Sequence, residues 1–152
     1  MDMLIFLDID GVMVPAKGWK IPEVLADGFP AFSSKATYML QNLMTDDITV
    51  ILTTSHKSNY TIEEWKSIFM SRGIVIDRLQ CLPGNTNNLT RRAEIMNWFS
   101  INSINEDFLI LDDDKSLNEL PQHLKEHLIQ PISYVGLTDE HLEMARSIIA
   151  KQ

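Results

Sequence analysis

Two acidic stretches carry the groups in this 152-residue chain best suited to chemistry. The first is Leu4-Ile5-Phe6-Leu7-Asp8-Ile9-Asp10-Gly11-Val12, where an apolar run ends in two carboxylates. Such a run, closed by a turn residue, reads as a strand buried on both faces. Side chains alternate along a strand, so Asp8 and Asp10 leave its end on the same side. Gly11 then lets the backbone turn sharply. Carboxylates at the C-terminal end of a parallel strand lie where open α/β sheets bind their ligands. Taken alone, the stretch also fits a capped strand followed by an acidic turn.

The second stretch repeats the grammar. Asp107-Phe108-Leu109-Ile110-Leu111-Asp112-Asp113-Asp114 is again an apolar strand followed by acids. Two such strands side by side bring several carboxylates within a few ångström, where like charges repel strongly. A hard divalent cation with oxygen ligands offsets that repulsion, and magnesium fits best, because it takes one or two carboxylates together with waters and a substrate phosphate.

The elements needed to hold these groups can be read along the chain. The pattern predicts strands over 3–8, 48–52, 74–76 and 107–111, with a short fifth over 132–135. Ser33 or Ser34 caps a helix over 35–45, and Thr61-Ile62-Glu63-Glu64 is a capping box for a helix that Gly73 stops. Further helices run to about Ser100 and from Thr138 onward, with a broken one through Leu117, Leu120 and Leu124. Residues 11–32 hold Pro15, Gly18, Pro22, Gly28 and Pro30, too many breakers for a long helix. They form an ordered excursion, and Trp19, Phe29 and Phe32 argue that it packs on the body. Strands alternating with helices imply a parallel sheet covered on both faces, a three-layer α/β sandwich.

Composition narrows the function. A length of 152 residues, 45% of them hydrophobic, suits one domain with a real core. A net charge of −8 disfavours a broad electrostatic footprint for nucleic acid. The single cysteine, Cys81, excludes an intrachain disulfide and a cysteine zinc cluster, and fits a reduced, cytoplasmic setting. The apolar run at the N-terminus reaches Asp8 too soon for a signal peptide or a membrane span.

The ordered set of motifs resembles the haloacid dehalogenase-like (HAD) hydrolase superfamily, whose fold is Rossmann-like. Asp8-Ile9-Asp10-Gly11-Val12 is similar to its first motif, which implies Asp8 as nucleophile and Asp10 as general acid/base. Thr53, with the N–H of Thr54, is similar to the second motif, which holds the transferring phosphoryl group. A one-residue ambiguity leaves Thr53 and Thr54 both open. Arg91 stands where the third motif has a base, normally Lys, and Arg92 takes that place if the helix is rotated. Asp112-Asp113 resembles the acidic fourth motif. The short gap between the first two motifs implies a small member without a large cap domain, with 11–32 as a loop or flap over the site.

This resemblance implies a magnesium-dependent phosphatase acting on a phosphate monoester through an aspartyl-phosphate. Asp8, Asp113 and the carbonyl of Asp10 would hold the metal, with Asp112 supporting them. Val12 departs from the Thr of many members, and Arg91 offers a planar fork instead of a point charge. The alternative is a non-enzymatic domain, either a receiver-like one phosphorylated on Asp or a phosphate-binding regulator. The D-x-D on the first strand and D-D on the fourth favour the hydrolase. His56, His123, His127 and His141 show no metal spacing and read as surface or packing residues. Lys57 reads as a surface lysine or a neighbour of the site. Trp19 either meets substrate at the entrance or anchors the flap. Without a cap the entrance suits a bulky phosphorylated molecule. The substrate itself and the oligomeric state are not encoded legibly.

Overall fold

A computed structural model describes residues 2–151. Its elements, in chain order, are β1 (Met3–Leu7), α1 (Ser34–Leu43), β2 (Ile48–Leu52), α2 (Ile62–Met70), β3 (Arg78–Cys81), α3 (Arg91–Ile101), β4 (Asp107–Leu111), α4 (Gln122–Lys125), β5 (Leu128–Ile129) and α5 (Asp139–Ala150). The five strands form one parallel sheet in the order β3-β2-β1-β4-β5. The chain therefore reverses direction across the sheet beside β1, which opens a crevice at the C-terminal ends of β1, β2 and β4.

Alternation along the strands produces the three layers. Ile5 and Leu7 face a core built with Val50, Leu52, Leu109, Leu111 and the inner sides of α1, α2 and α5. Phe6, Ile51 and Ile110 face the other way, against Ile95 of α3 and Leu117, Leu120 and Leu124. The helices start where side chains can cap them. Ser33 Oγ accepts from Ala36 N at 3.1 Å. Thr61 and Glu64 exchange two bonds, Glu64 N to Thr61 Oγ1 at 3.1 Å and Thr61 N to Glu64 Oε1 at 2.9 Å. Thr90 Oγ1 accepts from Ala93 N at 3.1 Å and so fixes Arg91 as the first residue of α3.

Two expected strands are placed differently. Ile74-Val75-Ile76 is not a strand. Ile74 and Ile76 are buried and Val75 is exposed, so this β-branched run packs under the sheet edge. Pairing with β2 begins only at Arg78, opposite Thr49. The fifth strand is Leu128–Ile129 beside β4, whereas Ile132–Val135 is a turn closed by Val135 N donating to the Ile132 carbonyl at 2.8 Å.

Residues 11–32 contain no regular helix or sheet strand, only the isolated bridges Asp10–Val14 and Val24–Pro30. Among the described residues no cap domain interrupts the fold. Phe29 and Phe32 are buried as expected, but Trp19 is 85% exposed. Arg72 clamps this segment to the end of α2, donating to Asp27 Oδ2 at 2.7 Å and to the carbonyls of Phe29 and Pro30 at 3.0 and 2.9 Å. Its guanidinium also lies 4.9 Å from the centre of the Phe32 ring. Among the described residues no helix is long and apolar enough to cross a membrane.

Candidate active site

Strand register assembles the site. Leu7 pairs with Leu52 on one side and with Leu111 on the other. The next residue on each strand is Asp8, Thr53 and Asp112, so these three stand in one row just past the sheet. Leu7, Leu52 and Leu111 point into one core, so the following side chains turn toward the face covered by α3. There the first residue of α3 meets them. Arg91 Nη1 lies 2.5 Å from Asp112 Oδ2, 3.2 Å from Thr53 Oγ1 and 3.4 Å from Asp8 Oδ2. Thr53 Oγ1 also donates to Asp112 Oδ2 at 2.8 Å. Arg92 points away, with its Nε on the Glu119 carbonyl at 2.9 Å. Thr54 uses its hydroxyl to accept from His56 N at 3.2 Å. Arg91 and Thr53 are therefore the side chains that meet the acids. The Thr54 N–H donates to no acceptor among the described residues and remains available to an anion.

The acids differ in what they have left to give. Asp112 is fully buried, and both its oxygens are occupied: Oδ2 by Thr53 and Arg91, and Oδ1 by Asp114 N at 3.1 Å. Asp8 is 6% exposed and accepts from Ile9 N at 2.8 Å. Asp113 is half-buried and abuts Gly11, where a Cβ would lie 2.0 Å from Asp113 Oδ2. Gly11 itself has φ +78°, a region that favours glycine. Its N–H donates to Val14 O at 2.7 Å, so the chain folds back under the site immediately after Asp10.

These carboxylates are electrostatically unbalanced. Two unit charges about 4 Å apart interact by roughly 4 kcal/mol at an effective dielectric near 20, and a single guanidinium faces both Asp8 and Asp112. Burial, then the Asp112 charge, push the Asp8 carboxyl up to about 9, with Arg91 opposing them only in part. Burial also raises Asp112, against the pull of Arg91. Burial disfavours the charge on Arg91, but Asp112 and Asp8 outweigh it and hold the guanidinium above its ordinary value. One further positive charge is what this cluster lacks. One oxygen each of Asp8, Asp112 and Asp113 lies within 4.8 Å of the others, with those of Asp112 already engaged by Thr53, Arg91 and Asp114. An all-oxygen donor set of this kind, with Gly11 clearing space beside Asp113, fits a hard divalent cation such as magnesium.

Across residues 4–142 the chain matches a family model described as the HAD domain in Swiss Army Knife RNA repair proteins. The chain belongs to this family. No curated protein and no solved structure matches it significantly. Membership agrees with the α/β architecture and with the order of the acidic motifs, and makes this a HAD domain without a large cap.

Three residues around the HAD site take partners that the sequence did not show. Of the two readings of Lys57, the neighbour of the site holds and the surface lysine does not, since Lys57 is buried. His56 Nε2 lies 2.8 Å from Asp10 Oδ2. Lys57 Nζ donates to Glu94 Oε2 at 2.9 Å, and both side chains are more than nine-tenths buried. Glu94 Oε1 then faces Arg91 Nε at 3.5 Å, too far for a hydrogen bond, which leaves that Nε buried and without one. Glu94 shows only the spacing of one helical turn from Arg91. The contacts of His56 and Lys57 cross 46 and 37 residues, a separation that no local pattern encodes.

Proposed function

We propose that this HAD domain is a magnesium-dependent phosphatase that hydrolyses a phosphate monoester through an aspartyl-phosphate on Asp8. The observation that carries this reading is the row of Asp8, Thr53 and Asp112 with Arg91 Nη1 within 3.4 Å of all three. A carboxylate, a hydroxyl and a guanidinium converging at the end of a parallel sheet suit the transfer of a phosphoryl group, whose equatorial oxygens carry the charge.

In the proposed sequence an Asp8 oxygen attacks phosphorus as the bond to the leaving oxygen breaks. Asp10 gives that oxygen a proton, then takes one from the water that attacks the aspartyl-phosphate, breaking the bond between Asp8 and phosphorus and releasing inorganic phosphate. Arg91, Thr53 Oγ1 and the Thr54 N–H hold the phosphoryl oxygens. Asp8, Asp113 and the Asp10 carbonyl would hold magnesium, with Asp112 supporting the arrangement from its buried position. When bound, the metal supplies the missing positive charge, keeping Asp8 ionised and offsetting the phosphoryl charge.

The family description names RNA repair proteins, and on that ground we propose a phosphate monoester at the end of an RNA strand as the substrate class. With a net charge of −8, the chain offers RNA little non-specific attraction. Recognition would therefore centre on the terminal phosphate. The decisive experiment measures phosphate release from para-nitrophenyl phosphate and from a short oligoribonucleotide bearing a terminal phosphate. Chelation should abolish release and added magnesium restore it. Asp8→Asn should lower kcat by about 10³-fold or more with the fold intact. Full turnover after exhaustive chelation, or near-normal turnover by folded Asp8→Asn, would remove the reading. A preference for para-nitrophenyl phosphate over the oligoribonucleotide would remove only the RNA assignment.

A further inference from the structure

We infer that His56 is a positioning residue for proton transfer by Asp10, held in place by Phe29 of the 11–32 segment. This rests on the acid/base reading of Asp10 given above. The Asp10 side chain is 54% exposed, and its one polar side-chain contact among the described residues is His56 Nε2, at 2.8 Å from Oδ2. A carboxylate only accepts, so the imidazole nitrogen donates its N–H to Oδ2. With Oδ2 engaged by His56, Oδ1 is the oxygen that has no partner among the described residues, and the contact aims it to face the leaving oxygen.

His56 is itself fixed from two directions. Its backbone N–H donates to Thr54 Oγ1 at 3.2 Å, tying it to the turn that follows β2. Its ring meets the Phe29 ring edge to face, 5.8 Å between centres at 85°. Phe29 is 3% exposed and wedged against Trp65 and Phe32. The segment after the first motif therefore reaches the proton-transfer side of the site through Phe29 and His56. An exposed pair of this kind adds little to stability. Its value lies in holding one rotamer of Asp10, since small misplacements of a reacting group are costly in rate.

Leaving-group dependence reads such a role directly. Para-nitrophenolate departs without much help from an acid, whereas the oxygen of phenyl phosphate needs the proton more. With the full chain and magnesium, His56→Ala should lower kcat/KM, which reports only the step that expels the leaving group, by roughly tenfold on phenyl phosphate and by less than about twofold on para-nitrophenyl phosphate. His56→Gln should recover most of the loss, because its amide nitrogen reaches about where Nε2 lies. Phe29→Leu should show the same leaving-group dependence at smaller size, which keeps the test available if His56→Ala does not fold. An equal loss on both esters, no loss at all, or a His56→Gln variant as impaired as His56→Ala would overturn the inference. Asp10→Asn separates the two levels. If it is inactive on phenyl phosphate while His56→Ala is unaffected, the His56 role alone falls. If it matches the wild type on both esters, the acid/base reading falls and takes the inference with it.

Discussion

A Cβ added to Gly11 would lie 2.0 Å from Asp113 Oδ2. The Asp113 carboxylate occupies the space that a side chain at position 11 would fill, so the turn after the first acidic motif and the acid of the last one are shaped to each other. Gly11→Ala meets two penalties at once, a positive φ that L-residues avoid and a collision with Asp113. The expected result is a loss of stability of about 1–3 kcal/mol in denaturant melts. A fall in magnesium affinity should accompany it, read by calorimetric titration, because the Asp113 carboxylate must leave its present place beside the turn. Wild-type affinity in a folded Gly11→Ala variant would show that Asp113 is not a ligand.

That relationship also marks how far the sequence can be read. The approach of Asp8 to Asp112 was legible because each acid ends an apolar run, and parallel strands of equal length align their ends. Thr53 came only from the resemblance, with Thr54 left open beside it. The choice of Arg91 over Arg92 was not, because it depends on the rotation of α3, which the Thr90 cap and packing of Ile95 decide. Ile74-Val75-Ile76 has the composition of a strand, yet hydrogen bonding to β2 starts at Arg78. β-propensity reports fit to a half-buried surface and says nothing of register. The same ambiguity placed the last strand at 132–135 when Leu128–Ile129 is the segment that reaches β4.

The buried ion pair behind Arg91 gives a second prediction. Lys57 and Glu94 leave only 4% and 8% of their side chains exposed, and Glu94 also faces Arg91. Glu94→Ala strands a lysine charge in a dry site. Breaking such a pair costs about 3–5 kcal/mol, whereas replacing both partners with apolar groups of similar size is often neutral. Glu94→Ala should therefore unfold at clearly lower denaturant than Lys57→Met/Glu94→Leu, even though the double variant has lost both charges. Equal destabilisation of the two would mean that lost packing, not an orphaned charge, sets the effect.

The Arg72 clamp should show in acid. Hydrogen bonds from Arg72 hold the Asp27 carboxyl down at about 2, below the ordinary value near 4. For a depressed carboxyl the sign is fixed: the native state binds fewer protons than the unfolded chain, so the contribution is complete above about pH 4 and is lost as pH falls toward 2. The stability difference between the wild type and Asp27→Asn, followed by urea denaturation, should be largest above pH 4 and shrink below it. In an Arg72→Ala background the same difference should be small and flat with pH. A difference that stays constant from pH 5 to pH 2 in the wild-type background would contradict the coupling.

Trp19 separates the two roles open to the 11–32 segment. Its side chain is 85% exposed, and Ile21 beside it is 89% exposed. The segment is tied down elsewhere, by Ala16 N on the Ser133 carbonyl at 2.8 Å and by the Arg72 bonds around Phe29 and Pro30. Nothing in the body of the fold depends on the indole, so Trp19 is not the anchor of the flap. Trp19→Ala should leave the unfolding free energy within about 0.5 kcal/mol of the wild type, as surface substitutions do. An unburied indole is also a platform for a base, and stacking of that kind is worth about 1–3 kcal/mol on alanine substitution. With a phosphorylated oligoribonucleotide as substrate, Trp19→Ala should therefore raise KM about fivefold or more. Para-nitrophenyl phosphate, which carries no nucleobase, should be turned over as by the wild type. A matching loss on both substrates would point to a disturbed site. An unchanged KM for the oligoribonucleotide would show that the indole does not meet it.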